Sequence, residues 1–185
     1  MPTPEEIRKM EHAHTAMSYD KIEDFLFAGN NMCCQTHFEK ELLSKRISAD
    51  ISLEAERLDN PQGVKYFFWF PWEEDMAPPY ELLDVALKSL DNLVEHGIKA
   101  YVHCKNGHGR TSTFLAAYYM RKRGISADRA LAIVRERRPS AHINAAQEDF
   151  LRKLNKTRKS CFLFNILKIF QKIACLFYIL LYNIS

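Results

Sequence analysis

The chain has 185 residues, 47% of them hydrophobic, and a formal net charge of +3. That size and apolar content suit one domain with a sizeable core, and the charge is too mild to point to nucleic acid as a partner. An odd number of cysteines, five, and an N-terminus (Met1-Pro-Thr-Pro-Glu-Glu) without a basic stretch followed by an apolar run argue against a secreted disulfide scaffold and for a reducing, cytoplasmic setting.

In chain order, Ile22 to Ala28 reads as a strand stopped by Gly29 and Asn30, and Thr36 to Lys45 as a helix. The adjacent Cys33 and Cys34 between them read as packing or turn residues. Ala49 to Leu53 and Val64 to Phe70 read as buried strands. Pro78 to His96 predicts an amphipathic helix: Leu82, Leu83, Ala86, Leu87, Leu90, Leu93 and Val94 recur at helical spacing, prolines fit its first turn and Gly97 ends it. Lys99 to Val102 follows as a short strand, then Thr111 to Arg123 as a helix stopped by Gly124. Ser126 can cap a helix from Ala127 to Arg138, and Asn144 with Gln147 can cap one running through Leu154. Strands alternating with helices predict a single α/β domain, over 1–157, with a central, mostly parallel sheet flanked by helices.

Residues 158–185 form a basic and then hydrophobic C-terminal tail. Arg152, Lys153, Lys156, Arg158 and Lys159 lead into an almost wholly apolar run from Cys161 to Ser185. A membrane-crossing helix needs about 20 residues, which this run supplies. Lys168 and Lys172 interrupt it, however, and a lysine at the bilayer centre costs roughly 2.5–3.5 kcal/mol. Asn165, Lys168 and Lys172 share one helical face, which suits lying in the interface. A membrane surface, met through residues 160–185, is therefore the expected partner of this tail, with docking onto the domain or a partner protein as the alternative. The basic lead-in would keep the preceding domain cytoplasmic.

The chemistry is concentrated in Tyr101-Val102-His103-Cys104-Lys105-Asn106-Gly107-His108-Gly109-Arg110-Thr111. This loop joins a strand to a helix N-terminus, where backbone amides lack intrahelical acceptors and the dipole favours anions. Gly107 and Gly109 are expected at positive φ, so that successive N–H groups of Lys105, Asn106, Gly107, His108, Gly109 and Arg110 converge on one oxyanion. The same field favours a thiolate at Cys104, which is then able to attack phosphorus. Arg110 adds a planar fork for two phosphate oxygens. The Thr111 hydroxyl is expected to hydrogen-bond the Cys104 sulfur. His103 is expected to support the loop through a backbone hydrogen bond rather than to act as a base, and Lys105, Asn106 and His108 to face the cleft mouth. A phosphate ester also needs an acid for its leaving oxygen. Glu73, Glu74 and Asp75, in the segment before Pro78, supply candidates.

The pattern His103-Cys104-x5-Arg110-Thr111 resembles the active-site loop of the cysteine-dependent protein tyrosine and dual-specificity phosphatases, and the likeness extends over most of the first 155 residues or so. The resemblance implies a phosphatase-type domain with Cys104 as nucleophile and Asp75 as general acid, because the family's acid loop places an aspartate before small residues and proline; Glu74 and Glu73 stay as alternatives. It implies two steps through a cysteinyl-phosphate, with no metal or cofactor, since Arg110 and the amides balance the charge on the equatorial oxygens. The histidines agree with that: His12 and His14 lie in a polar N-terminal segment, and His37, His96, His108 and His142 are scattered. Arg137 to Gln147 resembles a stretch bordering the site in these enzymes. Gln147 reads first as a helix cap and second as a water-positioning group. The expected substrate is a phosphorylated protein, on tyrosine and also serine or threonine. A phosphoinositide or other phospholipid, or a 5′-phosphorylated RNA, would keep the chemistry and change the substrate. A catalytically silent module that binds phosphorylated partners is a third reading, disfavoured by the presence of Cys104, Arg110 and Asp75 together.

Overall fold

The computed structural model describes residues 17–31 and 35–154. The tail, with its expected helix and membrane segment, and the Cys33–Cys34 pair lie outside the described residues. The elements are β1 (Tyr19–Glu23), β2 (Leu26–Asn30), α1 (Gln35–Ser44), β3 (Ala49–Glu54), β4 (Tyr66–Trp72), α2 (Tyr80–Glu95), β5 (Ala100–Cys104), α3 (Gly109–Arg123), α4 (Ala127–Arg137) and α5 (145–154).

The five strands form one sheet in the order β1-β2-β5-β3-β4. β2, β5, β3 and β4 run parallel, and only β1 is antiparallel, so the sheet is mostly parallel. The predicted strand Ile22 to Ala28 is in fact a hairpin, with Asp24 and Phe25 at its tip and Glu23 opposite Leu26. The turn carries no glycine or asparagine, and Phe25 continues the apolar run, which is why the sequence reads straight through it.

Alternation along the strands sorts residues onto two faces. Leu26 and Ala28 of β2, Ala49, Ile51 and Leu53 of β3, and Ala100, Val102 and Cys104 of β5 join the main core, together with Leu83, Ala86, Leu87, Leu90 and Leu93 of α2 and the buried side of α3. Phe27 and Tyr101 point to a smaller cluster with Leu42 of α1 and Ile47. Helices thus cover both faces, as a parallel sheet requires. α3 is the central helix, buried from Arg110 to Met120.

The helix ends follow capping chemistry. The Ser126 hydroxyl accepts from Arg129 N at 3.3 Å at the start of α4. Gln147 N donates to Asn144 Oδ1 at 2.9 Å and Asn144 N to Gln147 Oε1 at 3.3 Å, the reciprocal pair of a capping box before α5. α3 begins at Gly109, two residues earlier than the apolar pattern suggests, because Ser112 N already bonds His108 O at 3.0 Å. That places Arg110 on its first turn.

Candidate active site

Ligands in parallel sheets bind beyond the carboxyl ends of the strands. Cys104 is the last residue of β5, the central strand, and the loop that follows turns directly into α3. Cys104 is only 3% exposed. The Thr111 hydroxyl lies 3.1 Å from its sulfur, as a hydrogen-bond donor from the first turn of α3. The amides of Gly109, Arg110 and Thr111 sit at that same open helix end.

The loop is held by residues far away in sequence. Gly107 has a φ of +70°, and a Cβ there would meet the Gly29 backbone at 2.5 Å and the Arg138 guanidinium at 2.7 Å, so only glycine fits. Gly109 does not share the expected positive φ. Its smallness matters for another reason: a Cβ would come within 3.0 Å of Gln147 Oε1. Arg138, fully buried, donates from Nε to Gly107 O at 2.9 Å and from Nη1 to Asp20 at 2.5 Å. One guanidinium thereby ties the loop after Cys104 to β1.

Arg110 is buried and braced. Its Nη1 donates to Glu56 Oε2 and to the Trp72 carbonyl, both at 2.7 Å, and its Nη2 lies 4.0 Å from Glu74 Oε1. Burial opposes the Arg110 charge, but the Glu56 hydrogen bond and the surrounding negative charges hold its pKa above the ordinary guanidinium value. For Glu56, burial works against ionisation, yet the Arg110 hydrogen bond wins and keeps its carboxyl below the usual glutamate value. The fork is thus oriented and charged before any ligand arrives.

Glu74, Asp75, Cys104, Asn106, His108 and Arg110 line one open cleft, and His142, Ile143, Asn144 and Gln147 close its other side. Lys105 is exposed, and Asn106, exposed and lining the cleft, donates its amide to Glu74 Oε1 at 3.1 Å. Asp75 has a φ of +61°, a left-handed conformation uncommon outside glycine, asparagine and aspartate. The Asn144 amide spans it, 2.7 Å from Asp75 O and 3.4 Å from Asp75 Oδ1. The Trp72 indole donates to Met76 O at 2.8 Å, and Gln147 Nε2 to the same carbonyl at 3.3 Å. Gln147 is therefore both a cap and a strut for the acidic loop.

His103 points to the opposite face of the sheet, where its Nε2 lies 3.1 Å from Asp50 Oδ1 and 3.9 Å from Asp59 Oδ2. This contact pairs His103 with a buried carboxylate on the neighbouring strand β3. Burial works against the His103 charge, but Asp50 outweighs it and raises its pKa above the ordinary imidazole value. Glu54, Asp59 and His103 bring their ligand atoms within 4.8 Å of one another. Within this cluster Asp59 accepts from Ser52 Oγ at 2.8 Å and Asn31 Nδ2 at 2.9 Å and pairs with Arg57 at 3.2 Å.

The family model described as dual specificity phosphatase, catalytic domain, matches residues 26–159. The chain belongs to that family. Dual specificity phosphatase 28 of Mus musculus is 36% identical over 75 residues, covering 40% of this chain and 46% of the relative. The chain thus spans under half of that relative's length. The crystal structure of a mouse putative dual specificity phosphatase complexed with zinc tungstate superposes with a TM-score of 0.65 at 26% identity, covering 77% of this chain and 89% of that one. The structure of PTPMT1 in complex with PI(5)P shares the fold, with a TM-score of 0.66 at 20% identity over 77% of this chain and 97% of that one.

The structure gathers Cys104, Arg110, Thr111 and Asp75, four of the residues the sequence singles out, around one cleft. Glu56, the Trp72 carbonyl, Asp50, Arg138 and Asn144 were not legible as parts of the site. Only the run Arg137 to Gln147, flagged by resemblance, hinted at the last two.

Proposed function

We propose that this chain is a phosphomonoester hydrolase that acts on phosphorylated proteins through a cysteinyl-phosphate intermediate. The observation that carries the reading is the Cys104 sulfur at the foot of α3, 3.1 Å from the Thr111 hydroxyl, in the same cleft as a braced Arg110 and the Asp75 loop. In the first step the Cys104 thiolate forms an S–P bond in line as the P–O bond to the alcohol or phenol breaks, and Asp75 passes its proton to the departing oxygen. The loop amides and Arg110 carry the charge on the remaining oxygens, and the Thr111 hydroxyl steadies the sulfur. In the second step water attacks phosphorus, the S–P bond breaks, and Asp75 takes the water's proton. Both steps are supplied by groups in the cleft.

Asp75 is favoured over Glu74 because the Glu74 carboxylate is engaged by Asn106 and faces Arg110. Asp75→Asn is expected to lower kcat for an aryl phosphate about 10²–10³-fold while tungstate affinity stays within a few-fold. Unchanged turnover would transfer the role to Glu74.

The second reading, a phosphoinositide or other phospholipid substrate, draws on the apolar sequence of residues 161–185 and on the PI(5)P complex of PTPMT1. We propose a cytoplasmic domain held at a membrane surface through residues 160–185. No helix among the described residues is long and apolar enough to cross a membrane. Full-length protein is expected to sediment with anionic lipid vesicles, and protein lacking residues 160–185 to stay in the supernatant. Equal sedimentation of the two would remove the membrane proposal.

A further inference from the structure

We propose that His108 and His142 form an aromatic wall at the mouth of the cleft that selects aryl phosphates, phosphotyrosine among phosphoproteins, as substrates; this rests on the phosphatase reading above. The two imidazoles come from different elements. His108 ends the catalytic loop as the residue capping α3, and His142 lies in the segment that leads to α5. Their ring centroids are 4.8 Å apart with planes at 46°, a tilted arrangement typical of interacting rings. Both line the cleft that holds Cys104 and Arg110, and apolar Ile143 adjoins them. The Ser140 carbonyl, 3.3 Å from His142 Nδ1, helps to aim that ring.

The wall works through its ring faces. Burial first, then the neighbouring His142 ring and the Arg138 guanidinium, hold His108 below the ordinary imidazole value, so it is neutral at neutral pH. The same cleft carries the Glu74 and Asp75 carboxylates. A headgroup bearing additional phosphates would set anions against those acids. A phosphothreonine would seat its phosphate over Cys104 but has no ring to lay against the imidazoles. A phenyl phosphate satisfies both sides, because its phosphate fills the loop and its flat ring meets the paired histidines.

Matched peptides that differ only in carrying phosphotyrosine or phosphothreonine test this on the full chain, with a soluble short-chain phosphoinositide as a third arm. The wild type is expected to favour the phosphotyrosine peptide. The ratio of its kcat/KM to that of the phosphothreonine peptide is expected to fall about 3- to 10-fold in His142→Ala and in His108→Ala, and to recover in His142→Phe and His108→Phe, which keep a ring and remove its polar atoms. A ratio that does not move in the alanine variants, or does not recover in the phenylalanine ones, would overturn the wall. So would a wild-type preference for the phosphoinositide. If the wild type hydrolyses none of the three, nor a generic aryl phosphate, the phosphatase reading itself fails.

Discussion

Cys104→Ser is expected to lower kcat on an aryl phosphate by on the order of 10⁴–10⁶-fold, the scale seen when a covalent nucleophile is removed. The substitution is close to isosteric, at a residue only 3% exposed, so the fold and the oxyanion cradle should survive. What disappears is the ease of ionisation: a hydroxyl remains protonated where a thiol becomes a thiolate. Tungstate binding to the serine variant, measured by calorimetry, should therefore remain, which separates a lost nucleophile from a collapsed loop. Activity that survives the substitution and vanishes with a chelator would mean a different catalyst.

Arg110→Lys is expected to cost about 10²–10³-fold in kcat/KM, although charge is conserved. A lysine ammonium is a single point on a flexible stem. It cannot keep the two 2.7 Å bonds to Glu56 and the Trp72 carbonyl and still present a fork to two phosphate oxygens. Tungstate affinity should fall along with turnover, because the same fork binds the ground-state oxyanion. Glu56→Gln should act more mildly, since the amide oxygen can still accept from Arg110 while the charge that stabilises the guanidinium is gone. If the lysine variant matched the wild type, Arg110 would not be the phosphate clamp.

The proposed nucleophile and clamp were visible in the sequence because a short loop carries them together. Cys104, Arg110 and Thr111 need only a strand, a turn and a helix start to meet, and Gly107 marks the one left-handed position that this turn demands. The long amphipathic pattern of α2 was equally legible, since its buried leucines repeat over sixteen residues. The hairpin between β1 and β2 was not, because Phe25 at its tip carries an apolar side chain, 39% exposed, that mimics a continuing strand. The polar stripe of β3 was also hidden. Asp50, Ser52 and Glu54 alternate with Ala49, Ile51 and Leu53, a pattern that ordinarily means a solvated face, yet all three are buried against His103, Asp59 and Asn31.

The sequence by itself marked the candidate set: Cys104, Arg110 and Thr111 stand out because they lie within a few residues of one another, and the family resemblance added the loop that carries Asp75. Only the tertiary structure decided what holds that set in place. Arg138 grips Gly107 from 31 residues away, Glu56 braces Arg110 from 54, and Asn144 reaches Asp75 from 69. These partners are joined by hydrogen bonds across the fold. Such bonds follow from how strands and helices pack, and they leave no periodicity or spacing along the chain from which they can be read.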